Sequence, residues 1–402
     1  MLSENLWFHN IYCFLYTGDT AISGCSNATG LLPESLNWMP YYIAGFSMVL
    51  VLINIFMAFG ALYTYAERRL IGRFQSRVGP NRAGPFGILQ PVADGIKLLT
   101  KESMIPDQAD KPVYNLAPII MLIPVILVVA VLPVGEGTFM TDLNIALLFA
   151  ISITALTTIA IFMAGFSTGN RFAMLGAMRA VAQLISYEVP VVLSTVGIIL
   201  LTGSLSLVDV VEAQAIPFIL VQPLAFLIFI IGGSAEMNRT PFDTVEAESE
   251  LIAGYHIEYG GMKFAMFQLA EYASVLINSA VITTLFLSGW EGPFSFIPSP
   301  IWFLLKMFFM AFCFIWIRAT LPRLRMDQVM SFAWKFLLPL SLINIFVTAI
   351  EVLIFGVNGT FTQGDLWIIS GINIIVSIIG IVIFSKILEI DSGFNTQFKV
   401  TV

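Results

Sequence analysis

The amino-acid sequence predicts an all-α integral membrane protein, a bundle of about nine transmembrane helices with an amphipathic helix at the interface. Three observations predict it. The chain is 58% hydrophobic and 11% charged, where a soluble domain carries roughly 25% charged residues. Apolar runs of roughly 20 residues recur along it, enough at about 1.5 Å per residue to cross a core of about 30 Å. The runs lack the alternation of barrel strands, and backbone amides in lipid must be satisfied within their own segment, so the runs read as helices.

In chain order the spans are expected at 40–63, 114–134, 143–166, 180–202, 216–234, 262–288, 301–320, 335–356 and 366–388. With the N-terminus outside, strict alternation leaves all 19 Lys and Arg except Lys306 on the inner side. That asymmetry supports the span count and puts the long loops in the cytoplasm. Three units are expected: an outer-side segment 1–39, an eight-helix core 40–356 carrying the cytoplasmic loops, and an extra C-terminal transmembrane helix and tail 357–402. Between the first two spans, Gly79-Pro80-Asn81 and Gly84-Pro85 mark turns. Beyond them Ile88, Leu89, Val92, Ile96, Leu98 and Leu99 recur near helical spacing, with Asp94, Lys97 and Lys101 on other positions. This pattern predicts the interfacial helix.

Several function classes are excluded. The net charge of −7 argues against nucleic-acid binding. Cys13, Cys25, Cys313, His9 and His256 form no ligand set for zinc or an iron–sulfur cluster, so no metal or flavin is expected in this chain. Cys13 and Cys25 read as free thiols, with a pairing outside the cytoplasm left open. Neither GxGxxG nor GxxxxGK[ST] occurs. Electrons for any redox chemistry must therefore come from another chain.

The carboxylates carry the strongest signal. Glu236, Asp243, Glu246, Glu248, Glu250 and Glu258 crowd the loop after the fifth span. On a helical turn or two, Asp243, Glu246 and Glu250 share a face, and close like charges beside lipid favour a coupled set that titrates near neutrality. A solvated acidic loop is the plainer alternative. Glu188 and Glu271 lie about 12 Å deep in the fourth and sixth spans. Charges at depth mark ion paths or structural pairs, here with Arg179 or Lys263 as partners. Glu351, near the outer end of the eighth span, reads as interfacial. Arg68, Arg69, Arg73 and Arg77 cluster where the first span ends, and Arg318, Arg323 and Arg325 where the seventh ends. Inner-side anchoring is the plainer alternative for such clusters, and it is the reading for Arg73, Lys111 and Lys335. Phe264, Met266 and Phe267 read as lipid-facing, with an apolar slot as the alternative.

A family resemblance rests on short stretches in a fixed order. They are Glu67-Arg68-Arg69, Arg77 to Asn81, Leu89 to Lys97 with Lys101-Glu102, Arg179 to Gln183, and Ser186 to Glu188. They continue with Ala235 to Asp243, Glu246 to Leu251, Glu258-Tyr259, Ala270 to Tyr272 and Pro322 to Gln328. In these the chain resembles the membrane subunit of respiratory complex I, the NADH-quinone oxidoreductase, that meets the peripheral arm. The family pattern has an aromatic where this chain has Met326, and the ninth span resembles the extra helix of some bacterial members. The resemblance implies a subunit of a proton-pumping NADH-quinone oxidoreductase, with ubiquinone or menaquinone as substrate. It implies a quinone-access tunnel lined by Arg68, Arg77, Asp94, Lys97, Phe264 and Arg318. The coupling acids would be Glu188, Glu236, Asp243, Glu246, Glu248, Glu250, Glu258 and Glu271. Implied partners are the iron–sulfur and quinone-site subunits of the peripheral arm, which pass on electrons from NADH, and the small and antiporter-like membrane subunits. The nearest rival is the equivalent subunit of a membrane-bound hydrogenase or ferredoxin-linked complex. A stand-alone transporter would show internal repeats or paired broken helices, and neither is evident in the sequence.

Overall fold

The computed structural model describes residues 39–138, 141–243, 254–294, 296–355, 361 and 363–391. All its regular elements are helical, and among the described residues eight helices are long and apolar enough to cross a membrane. The first is α1 (Met39–Phe74), which runs well past its apolar stretch and so carries Glu67, Arg68 and Arg69 on its last turns. After a short 3-10 turn comes α2 (Gln90–Thr100), the expected amphipathic helix. Its Val92, Ile96 and Leu99 are exposed in this chain alone.

The second span is α3 (Lys111–Val131). The third is divided at Ala155 into α4 (Ala146–Thr154) and α5 (Leu156–Ser167). The fourth is α6 (Arg171–Thr202), whose first turn is capped by the Asn170 side chain accepting from Phe172 N–H. Short α7 (Leu207–Glu212) precedes the fifth span, which hydropathy predicts as one helix. It is two pieces, α8 (Phe218–Val221) and α9 (Pro223–Glu236), with Gln222 non-helical between them. The reason is chemical: Pro223 has no N–H and its ring disfavours a helical residue before it, so it starts a helix and ends the one before. The chain continues with α10 (Gly261–Phe286), α11 (Ser299–Thr320), α12 (Met326–Phe332), a π turn at Ala333–Leu337, α13 (Leu338–Phe355) and α14 (Gln363–Asp391).

The core sits around α10 and α6. Of the apolar window of α10, 72% is buried, and 56% of that of α6, against 33–39% for α3, the third span, α11, α12–α13 and α14. Helix pairs approach through small residues, as expected where packing rather than water exclusion drives association. Gly232 of α9 faces Val191 of α6 so closely that an added Cβ would lie 2.2 Å from Val191 Cγ2. Gly165 of α5 meets Ala177 of α6 in the same way, at 2.3 Å.

Hydrogen bonds between loops show which connections share an end of the bundle. Asp110 N–H donates to Ser167 O, Leu324 N–H to Pro241 O and Tyr114 Oη to Glu258 O, gathering the loops after α1, α5, α9 and α11. At the other end Ser206 Oγ donates to Asp142 and Gln214 Nε2 to Thr284 O. Lys306, the exception in the charge count, lies there. Its Nζ donates to the carbonyls of Leu287, Gly289 and Glu291, so it closes the C-terminal end of α10. Burial first, and Glu212 second, push the nearby Glu291 carboxyl upward, while Lys306 opposes them.

Candidate functional site

Three constellations occupy the end that carries the long loops. The first is a buried charge cluster on the last turns of α1. Tyr63 and Glu67, four residues apart, present one helical face toward α10. Glu67 is 3% exposed. Its Oε1 accepts from Arg239 Nη1 at 3.2 Å and also from Arg318 Nη1. Arg239, 7% exposed, follows the tight turn that ends α9, and its guanidinium lies 4.4 Å from the Tyr272 ring centroid. Burial pulls the Arg239 pKa down, but Glu67, Tyr272, Glu271 and Tyr63 together outweigh it and hold the group above its ordinary value. Two guanidiniums on one carboxylate leave the cluster with a single net positive charge. Among the described residues Glu67 Oε2 and Arg239 Nη2 have no hydrogen-bond partner.

The second constellation joins α1 to α2. Arg68 Nη1 lies 2.5 Å from Asp94 Oδ2, Lys97 Nζ lies 3.8 Å from Asp94 Oδ1, and Gln90 Nε2 donates to the same carboxylate. Of the six residues expected to line a tunnel, three therefore meet, and Arg318 joins the Glu67 cluster beside them. Arg77 instead donates to Gln75 in an exposed turn, and the Phe264 ring packs 5.5 Å from His256. Phe264 is half-buried, inside the protein more than the lipid-facing reading implies.

The third is a track of carboxylates. Glu271 on α10 is 5% exposed and its Oε1 accepts from Tyr255 Oη at 3.3 Å. A cavity of about 30 Å³ is lined by Glu271, Glu236, Asn238, Thr157 and Ser274. A larger cavity of about 110 Å³ is lined by Glu236, Thr157 and Ser274 again, and by Glu188, Thr158 and Asn278. The two share walls at Glu236, so three acids separated by many residues in sequence border one pair of adjoining cavities. The larger one passes the break between α4 and α5, through Thr154 and Ala155. Its volume suits a few waters at roughly 30 Å³ each. The orphaned Oδ1 of Asn278 is suited to hold them, and that of Asn238 to hold water in the smaller cavity.

Glu258, which lines neither cavity, accepts at Oε1 from Asn170 Nδ2 at 2.7 Å. Next to it Tyr259 stacks on Tyr114 with ring centroids 4.1 Å apart and hydrogen-bonds Ser167 Oγ. Burial raises the Tyr259 pKa, against the lowering effect of Ser167. Lys263, expected as a partner for a deep acid, lies over the Tyr114 ring at 4.6 Å. Asp243 is half-buried, while Glu246, Glu248 and Glu250 lie outside the described residues. Among the described residues no group of three or more His, Cys, Asp or Glu is placed to hold a metal ion.

Glu67, Asn238 and Arg239 enter the sequence reading only as members of the stretches that carry the resemblance, with no role of their own, and Tyr255 does not enter it. Glu67 is hidden by the arginines after it, which read as anchors. The available signal is Tyr63 four residues earlier, a polar pair on one face of an apolar helix.

The NADH dehydrogenase family model matches residues 46–349, a stretch that contains all three constellations. The chain belongs to the NADH dehydrogenase family. Relatives are similar over most of their length. The H subunit of NADH-quinone oxidoreductase from Dehalococcoides mccartyi strain CBDB1 is 50% identical over 358 residues, 89% of this chain and 97% of that protein. The H subunit from Geobacillus kaustophilus is 50% identical over 309 residues, 76% of this chain and 92% of that one. That of Carboxydothermus hydrogenoformans is 44% identical over 337 residues, 82% and 96% respectively. The family expected from the ordered stretches is the family found, and the chain's role as a subunit of an NADH:quinone oxidoreductase goes with it.

Proposed function

We propose that this chain lines the quinone-access path of a proton-pumping NADH-quinone oxidoreductase and couples quinone reduction to proton movement through its carboxylates. The observation that carries the reading is the pair of adjoining cavities that share Glu236 and are bordered by Glu271 and Glu188 as well. Carboxyls that face a hydrated cavity and bond to neutral groups can trade protons, whereas an acid locked to arginine cannot do so cheaply. Tyr255 is placed to pass or orient a proton at Glu271, and Thr157 and Ser274 to hold water between the acids. Glu258 and Asp243 would load the track from the loop end, with Glu246, Glu248 and Glu250 as further members.

On the same reading Arg68, Asp94 and Lys97, with α2, form the entrance for the quinone. The exposed apolar residues of α2 suit an isoprenoid tail in the interface, and the net positive Glu67–Arg239–Arg318 cluster suits a headgroup that gains negative charge on reduction. Arg77 and Phe264 belong to the outer lining. The partners are the iron–sulfur and quinone-site subunits of the peripheral arm, and the small and antiporter-like subunits of the membrane arm. The chain sits in the bacterial inner membrane with its long loops in the cytoplasm. Residues 40–356 form the functional core, and the helix beyond it is an addition to that core.

The test is Glu236→Gln in the assembled enzyme, with quinone reduction and proton pumping measured together in proteoliposomes. Loss of pumping with electron entry to the iron–sulfur clusters intact supports the reading. Wild-type pumping at wild-type turnover would sink it.

A further inference from the structure

The far half of the bundle holds a carboxyl group that the proposed coupling track does not use. Glu351 on the last turn of α13, expected at the interface, is only 3% exposed. The reason is α14, which covers it. Asn373 of α14 donates from one Nδ2 to two acceptors, Glu351 Oε2 and Val221 O, each at 3.0 Å. One turn earlier Ser370 Oγ donates to Leu220 O at 2.7 Å. These two carbonyls end α8, where the break at Gln222 removes their helical partners. A discontinuous helix inside a membrane is tolerated where its free carbonyls are met by protein or line a site, and such ends commonly hold cations or protons.

Among the described residues three buried polar atoms here have no hydrogen-bond partner: Glu351 Oε1, Gln222 Oε1 and Asn344 Nδ2, in residues 3%, 0% and 2% exposed. Asn344, Thr348 and Glu351 follow at i, i+4 and i+7 on one face of α13 and span about 10 Å. Asn344 and Gln222 both press on Gly197 of α6. The hydrogen bond that reaches Glu351 comes from an amide, Asn373 Nδ2, while the Thr348 hydroxyl is spent on the carbonyls of Asn344 and Ile345. The described contacts of Glu351 include no ion pair, and the nearest titratable residue along α14 is Asp365, about two turns before Asn373.

We propose that Glu351, Asn373 and the carbonyl end of α8 form a second proton-binding site, in the half of the bundle away from the arginine cluster. Glu351 Oε1 takes the proton and gives a carboxylic acid, while Asn373 holds Oε2 by donating to it and to Val221 O at once. A neutral acid there needs no cation beside it, which matches its surroundings. Because the site lies outside the Glu271–Glu236–Glu188 track, it stands or falls apart from the coupling reading.

The experiment uses the assembled complex in proteoliposomes and infrared difference spectra, wild type minus Glu351→Gln. A protonated-carboxyl C=O band present at neutral pH in wild type and lost in the variant is the expected result. The band should bleach when the pH is raised on the face opposite the Arg68–Asp94 pair, and stay unchanged when sodium is added at constant pH. Should Glu351→Gln fail to assemble, Asn373→Leu leaves the acid in place but removes its donor, and the band should move to that of a less hydrogen-bonded carbonyl. No band, an unmoved band in Asn373→Leu, a band displaced by sodium, or exchange only from the Arg68–Asp94 face would each overturn the proposal.

Discussion

Glu67 and Glu271 are both almost fully buried, on neighbouring helices, yet they are held in opposite ways. Glu67 is fixed by two guanidiniums. Glu271 accepts from a tyrosine hydroxyl, and its carboxyl opens on a cavity. The difference separates two uses of the same side chain. An acid compensated by arginine is part of the scaffold and its electrostatics, because removing its charge strands buried cations. On the proposed function, an acid that accepts from a hydroxyl beside a cavity is able to change its charge as part of a cycle.

The contrast breaks most visibly at the scaffold. Glu67→Ala leaves Arg239 and Arg318 without their shared counter-charge, and should cost about 3–5 kcal/mol. The expected outcome is loss of the assembled subunit, read as subunit content in native gels of membranes. On the track, Glu271→Gln should leave assembly intact and lower proton-coupled turnover on the order of 100-fold, the scale of a positioned proton-transfer group. If Glu271→Gln abolished assembly as Glu67→Ala does, the two acids would not differ in kind. Packing lies next in size: Gly165→Val drives a side chain into Ala177 and should destabilise by about 1–3 kcal/mol, measured by thermal unfolding in detergent. Tyr255→Phe removes one hydrogen bond worth about 1 kcal/mol, so turnover should fall roughly fivefold with quinone affinity unchanged. The smallest effect is at the exposed pair. Arg68→Gln should change stability by less than about 1 kcal/mol, and its effect should appear in the KM for quinone.

Much of the architecture was legible in the sequence because lipid imposes simple rules. Long uncharged runs must be helices, and Asp94 among apolar neighbours marks α2 as two-faced. The carboxylates that border the two cavities were conspicuous as well, since an acid in an apolar run stands out. What joins them was not. Arg239 and Arg318 reach Glu67 from 172 and 251 residues away, and no local pattern encodes such a meeting. Glu351 was misplaced for a related reason: depth was counted along its own helix, but its burial is set by α14. The break at Gln222 did leave a local sign in Pro223, which the unbroken hydropathy of 216–234 concealed. Lys306 looked like a lapse in charge asymmetry because the three carbonyls it serves belong to a turn whose shape hydropathy does not report.

The split fifth span also orders events during synthesis. The carbonyls of Leu220 and Val221 enter the membrane long before Ser370 and Asn373, which lie 150 and 152 residues downstream. Until the last helix is made, the insertion machinery or neighbouring lipid headgroups must shelter that exposed backbone, so a chain stopped short of α14 leaves the ribosome with an open seam.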